Sequence, residues 1–433
     1  MSRGIQNRTE ASSTGGTSES LTPLPQGWSY VPLGALCSMV AGGTPQSGTD
    51  SYWGGNDDPQ NTPWISISDM SQVDLVANTE KYVTPLGLKS AGLNPGEIGT
   101  VLFAMYASVG EVAVSGISAV WNQALLGLIP LNTEILHSPF LYYALKTLKP
   151  HLPVYFRSNT QHNLNAGTVS RLRIPLPPLE SQQRIADYLD RETAEIDAAV
   201  ADLDRYVELL EKRRQVMIAQ SVTRGIGSNR TRVHLRALPG GEGMMNSPTK
   251  KVPFWSLLEF INAPVESSSY GVRLEDIDSW TGRLFDNVIC DRRDSQGTPF
   301  QPGDSLFGKL RPYLAKSWLA TTSGVAVGDI HVYRPKRHCE PRFLSYILRT
   351  SDFIRFAEGV SEGVKMPRSE WSKLRQYPIP LPPLETQQRI ADYLDRETTE
   401  IDSLISESTR LRDLLLKRRS VLITDVVTGR KQV

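Results

Sequence analysis

The sequence predicts two mixed α/β (α+β) domains separated by two long helices, the helices pairing as an antiparallel coiled coil, with an internal pseudo-two-fold duplication. Three observations carry this. IPLPPLESQQRIADYLDRET, beginning at Ile174, returns as IPLPPLETQQRIADYLDRET beginning at Ile379, with only Ser181 against Thr386 changed. Downstream of each copy, apolar residues recur at coiled-coil spacing. Upstream of each copy lie short β-branched and aromatic runs bounded by glycine.

The duplication extends in both directions at nearly one offset. NPGEIGTVLFAMY (94–106) parallels QPGDSLFGKL (301–310), VWNQALLGLIP (120–130) parallels VAVGDIHVYRP (325–335), and FLYYAL (140–145) parallels FLSYIL (343–348). Trp28, following Pro25, has a rough counterpart in Trp255, following Pro253. The resulting divisions are a polar, disordered tail at 1–22, a first domain at 23–179, a helical region at 180–225, a linker at 226–250, a second domain at 251–384 and a second helical region at 385–430.

GTVLFAMYA and GEVAVSG read as strands, as do SLFGKL, KSWLA and VAVGDIHVYRP in the second copy. SPFLYYALKTL and PRFLSYILRTSDFIRFAEG have helical spacing. IPLPPL cannot lie inside a helix, because its prolines remove donors and clash with the preceding turn, so it reads as an extended exit. Ser181 or Thr386 is the expected N-cap of the helix that follows, and Gly225 and Gly429 fall near the far ends. Leu189, Ile196, Leu203, Leu210 and Met217 recur every seven residues, flanked by Val200 and Val207. The second seam reads Leu394, Ile401, Leu404, Leu411, Leu415 and Leu422, interrupted by Ser408 and Arg418.

Identity between the copies exceeds what helix pairing requires. Gln182, Gln183, Arg184, Asp187, Tyr188 and Asp190 are expected on outward or flanking positions. Gln182, Gln183 and Asp187, with Gln387, Gln388 and Asp392, are the candidate docking residues for one external partner bound twice.

Composition narrows the class. The apolar runs are too short to span a membrane, and the first twenty residues lack the apolar core of a signal peptide. Cys37, Cys290 and Cys339 are scattered, which suits a reduced, cytoplasmic protein, and His338-Cys339 reads as a surface pair without further metal ligands. Residues 23–173 carry 7 basic and 9 acidic side chains, whereas 224–378 carry 23 and 16. The second half is the better match to a polyanion.

PPLESQQRIADYL and PPLETQQRIADYL resemble the repeated regions of the specificity subunit of type I restriction–modification systems. The resemblance rests on Pro177, Pro178, Leu179, Gln182, Ile185 and Leu189, and on Pro382, Pro383, Leu384, Gln387, Ile390 and Leu394. LPQGW (24–28), the helix-end segments VTRG and VVTGR, and LFGKLRPYLAK (306–316) extend it. The linker GSNRTRVHLRALPGGEGMMNSPTKKVPFW departs from the family pattern. What the resemblance implies is a non-catalytic, cofactor-free subunit that binds double-stranded DNA. Each domain would read half of a split target while the helices set the gap. Two copies of an adenine methyltransferase subunit, and endonuclease/translocase subunits through the complex, would be its partners.

The duplication then selects candidate DNA contacts. Ala104-Met105-Tyr106-Ala107 aligns with Gly308-Lys309-Leu310-Arg311 just after equivalent strands, so one place in the fold carries two chemistries. Lys309, Arg311, Tyr313 and Lys316 supply donors suited to phosphates or guanine edges, as do Lys365 and Arg368. In the first copy Tyr106, Arg157, Asn159, Gln161 and Asn163 are the candidates, the amides suiting adenine edges.

Two rival readings are weaker. GDSLFGKL matches a phosphate-binding loop as far as its lysine, but Leu310 stands where a magnesium-holding hydroxyl belongs and Pro312 where a helix should begin. A coiled-coil adaptor with two protein- or ligand-binding heads is the alternative that shares the architecture.

Overall fold

The computed structural model describes residues 23–71, 73–156, 163–224, 251–263, 266–285 and 291–433. The expected tail, the linker and Gly225 lie outside the described residues. The chain divides into two compact units. One takes the residues up to Val200 with Asp413–Val433, and the other takes Ala201–Arg412. Each unit therefore joins a sheet-bearing head to the start of one long helix and the end of the other.

In the first unit, strand Ser29–Pro32 leads in and pairs antiparallel with Arg173–Leu176, the strand made by the first IPL. The expected extended exit is thus a sheet edge, where proline is tolerated because one side of the strand donates nothing. A five-stranded sheet follows in the order Cys37–Ala41, Leu125–Pro130, Val101–Ala104, Val112–Ser115 and Leu75–Val76. Helix Ser138–Lys146 buries Phe140, Leu141 and Leu145 in the same core as Phe103 and Leu126. Trp28 packs against this core.

The second unit repeats the central motif. Lys251–Pro253 pairs with Pro378–Pro380, and a four-stranded sheet runs Leu258–Ile261, Ile330–Pro335, Ser305–Gly308, Ser317–Leu319. These four strands match the first four of the other sheet in order and antiparallel sense. Outside them the copies differ. The first adds a sheet ordered Trp53–Gly54, Lys81–Val83, Thr62–Ile65, Val120–Trp121, whereas the second closes Glu266–Val272, Asp291–Phe300 and Gly324–Ala326 on one another. The segment beginning at Pro341 forms two helices, Pro341–Ile347 and Ser351–Gly359. Thr350 caps the second by accepting from the Phe353 N–H at 3.3 Å.

The two tryptophans paired by sequence are not counterparts. Trp28 precedes its unit's leading strand, whereas Trp255 follows Lys251–Pro253 and is exposed. The residues that match are Leu33 and Phe254, each directly after the strand's closing proline and each fully buried.

The long helices span Leu179–Arg224 and Leu384–Val427, 46 and 44 residues, on the order of 65–70 Å each. They begin two residues before the expected serine or threonine caps, because the backbone N–H of Gln182 and Gln387 already reaches the carbonyls of Pro178 and Pro383. In the first unit, Ile423, Val426 and Val427 from the end of the second helix share a core with Ile185 and Leu189 from the start of the first. In the second unit, Ile218 and Val222 meet Ile390 and Leu394 in the same way. End meets beginning in both, so the helices pair antiparallel. The two heptad registers of the second helix, one through Ile401 and one through Leu404, are unequally buried. Ser408, seven residues after Ile401, is buried, while Leu411 is half exposed. At the far end Gly429 adopts φ +72°, the left-handed turn that ends a helix. Among the described residues no helix is long and apolar enough to cross a membrane.

Candidate nucleic-acid interface

In the second unit the strand Ser305–Gly308 runs out into a turn that carries four of the expected contact residues. Arg311 holds left-handed backbone, φ 51°, and opens the short helix Pro312–Leu314; Ala315 is also left-handed, φ 47°. A second segment, 361–370, is stitched to this turn. The N–H of Arg311 donates to Pro367 O at 2.8 Å, the N–H of Ser369 donates to Lys309 O at 2.9 Å, and Leu310 bridges Arg368. Lys309, Arg311, Tyr313, Lys365 and Arg368, nominated from two distant stretches, therefore share one loop cluster.

Their charges are not equally free. Arg368 grips Asp329 through two bonds, Nε to Oδ1 at 3.2 Å and a terminal nitrogen to Oδ2 at 3.0 Å. Lys309 Nζ lies 3.7 Å from the same carboxylate. Hydrogen bonding from Arg368 holds the Asp329 carboxyl below the usual carboxylate range, aided by both positive charges. Arg311, Lys365 and Tyr313 make no side-chain hydrogen bond or ion pair among the described residues, and Lys365 and Tyr313 are exposed. Lys316 differs: its ammonium donates to Leu274 O at 3.0 Å and lies over the Phe285 ring, so its charge is spent inside the head. Beneath the cluster His331 is buried with Nδ1 2.9 Å from the Tyr333 hydroxyl. Burial, with Lys309 nearby, pushes the imidazole down to about 3.

Sequence reading overlooked Asp329, although the duplication contained the signal. Met105 N–H donates to Ala124 O where Lys309 N–H donates to Asp329 O. A cation and an acid appear together in the second copy where the first has Met105 and Ala124.

The first unit builds the same turn with other side chains. Ala107, aligned with Arg311, is also left-handed at φ 58°. The N–H of Leu164 donates to Met105 O at 2.9 Å, matching the Ser369–Lys309 bond. Tyr106 is exposed and Asn163 half-buried. Arg157, Asn159 and Gln161 lie outside the described residues.

The phosphate-loop reading of GDSLFGKL finds no cradle. The N–H groups of Gly308 and Lys309 are taken by Lys316 O and Asp329 O at 2.8 and 3.0 Å, and the chain leaves a strand for a turn rather than a helix. Cys339 is buried rather than on the surface, and burial raises its thiol to about 12.

The repeated stretch requires a correction. Gln182 and Gln387, expected on outward or flanking positions, are buried. Gln182 Nε2 donates to Ile135 O and Pro177 O at 2.8 and 2.9 Å, and its Oε1 accepts from the His137 N–H at 2.9 Å. Gln387 does the same with His338 O, Pro382 O and the Glu340 N–H. Asp190 and Asp395 each accept from a tyrosine hydroxyl, Tyr143 and Tyr346, at 2.6 Å. These identical residues lock each head to its own helix. Gln183, Asp187, Gln388 and Asp392 are exposed, although Asp392 also accepts from Arg342 at 2.8 Å.

These features define an internally duplicated mixed α/β protein in which a head and a long helix occur twice. The chain belongs to the family of the type I restriction modification DNA specificity domain, which matches residues 25–201 and 311–408, more than half of its length. It is 22% identical over 289 residues to the type I restriction enzyme EcoDI specificity subunit of Escherichia coli, covering 62% of this chain and 65% of that protein, just under two thirds. It is also 22% identical to the MjaVIII specificity subunit of Methanocaldococcus jannaschii, covering 95% and 94% of the two chains. A chain from a solved structure concerned with complex assembly and conformational transition of the type I R-M system shares the fold. Its TM-score is 0.69 at 18% identity, covering 94% of this chain and 99% of that one.

Proposed function

We propose that the chain is the non-catalytic, DNA-reading specificity subunit of a cytoplasmic type I restriction–modification complex. Each head reads one half of a bipartite duplex target, and the helix pair sets the gap between the halves. The observation that carries this reading is the matched pair of left-handed turns, at Ala107 and Arg311, on equivalent strands of equivalent sheets. Same backbone with different side chains is what two readers of different half-sites require. Arg311, Lys365 and Tyr313 present unspent donors in the second head, whereas the first head's described candidates, Tyr106 and Asn163, are neutral.

Docking of two adenine methyltransferase subunits, and of endonuclease/translocase subunits through the complex, belongs to the same proposal. The exposed face of the repeated stretch, Gln183 with Asp187 and Gln388 with Asp392, offers one partner the same handle twice. The test is genome-wide mapping of methyladenine with the native chain and with Arg311→Ala. A discontinuous motif that relaxes in one half only supports the reading. An unchanged motif removes Arg311 as a contact, and no discontinuous motif favours the adaptor alternative.

A further inference from the structure

Glu362 and Arg368 close a narrow turn at the edge of the loop cluster. Each N–H donates to the other's carbonyl, at 3.0 and 2.9 Å, and Gly363 takes φ +98° to make the bend. The turn leaves Val364, Lys365 and Met366 exposed at its tip. Val364 is 104% exposed and Met366 52%, so the valine touches nothing. Single exposed apolar side chains are ordinary on a protein surface. This one differs in where it is held. Its turn is fixed to the Arg311 turn by the Arg311–Pro367 and Ser369–Lys309 bonds, and the two turns together carry Lys365 and Arg311, whose charges have no ion-pair partner among the described residues. The nearest acid in the turn, Glu362, is occupied by Lys373 at 2.6 Å. An apolar tip framed by cations fits a groove lined by phosphates, with bases at its floor. Aliphatic side chains so placed unstack a base step and kink the duplex.

We propose that Val364 enters the duplex between base pairs of the half-site bound by the second head, Met366 lying beside it. That half-site then contains a deformable pyrimidine–purine step, selected by the cost of opening it and not by hydrogen bonds to base edges. The inference rests on the DNA-reading function proposed above.

The test uses the full chain and the duplex it selects from a random pool. The fluorescent base 2-aminopurine, quenched when stacked, replaces adenine or guanine at each position of the second half-site in turn. The expected result is a several-fold rise in emission at one step on binding the native chain. The rise should be lost with Val364→Ala, kept with Val364→Leu, and leave first half-site preference unchanged. Because Val364 makes no contact within the protein, these variants fold as the native chain does. Recovery of a two-part duplex with no emission rise at any position overturns the wedge and leaves DNA reading standing. So does a rise that Val364→Ala retains. Failure to select any preferred duplex overturns the DNA-reading function itself, and the wedge with it.

Discussion

Arg214 near the end of the first long helix donates to Asp402 near the start of the second at 2.5 Å, and Arg283 reaches the same carboxylate at 2.7 Å. The duplication repeats the pairing with roles exchanged: Arg419 from the second helix meets Asp197 of the first at 2.8 Å and also holds Asp74. The two pairs differ in burial. The Arg214 side chain is 8% exposed and Asp402 17%, whereas Asp197 is 46% exposed.

That difference sets the first prediction. Asp402→Asn leaves Arg214 buried without its counter-charge and should cost about 3 kcal/mol in a urea titration. Asp197→Asn, solvent-screened and with Asp74 still on Arg419, should cost about 1 kcal/mol or less. Equal losses would contradict the burial argument.

Gln182→Ala and Gln387→Ala strand one buried N–H and two buried carbonyls apiece. Each should lower stability by about 2–4 kcal/mol, and neither should resemble a surface change. Denaturant midpoints check this.

Asp329→Asn frees Arg368 and Lys309. Binding to arbitrary duplexes should rise several-fold, and the salt dependence should steepen by about one or two counterions. Discrimination for the preferred duplex should shrink. Filter binding across a salt series measures all three, and an unchanged slope would show that the carboxylate restrains neither cation.

His331 titrates near 3 in the folded chain against an ordinary value near 6.5. With the folded value lowered, the unfolded chain takes up the proton first as pH falls, so stability declines from below about 6.5 toward about 3. His331→Gln should flatten that decline between about pH 7 and about pH 5, followed by thermal melts.

Charge reversal at the two exposed aspartates tests partner docking. Asp187→Lys or Asp392→Lys alone should leave one methyltransferase subunit bound, and the double variant none, as read by mass of the purified complex. Unchanged stoichiometry in all three would remove these residues from the docking face.

Much of the fold was legible because repetition supplied its own alignment. The strands after Gly99 and Gly303 were recognised as equivalent, and the structure gives them equivalent neighbours. What escaped reading was direction. Gln182 falls seven residues before Leu189, in the seam's own register, but its polarity made it look free; it is the head, through Ile135 O and the His137 N–H, that buries it. Likewise Lys316 looked like one more cation in LFGKLRPYLAK, and only the fold brings the Leu274 carbonyl, 42 residues upstream, within reach. Asp329 was invisible for the same reason, its importance depending on Arg368 being carried back across 39 residues.

The left-handed backbone at Ala107 and Arg311 restricts the chemical alphabet at those two positions. Valine, isoleucine and threonine are stereochemically excluded there, while glycine and asparagine fit with ease. Recoding either turn toward a new base is thus bounded first by torsion angles, and a library that spares those angles will waste fewer of its members on misfolded turns.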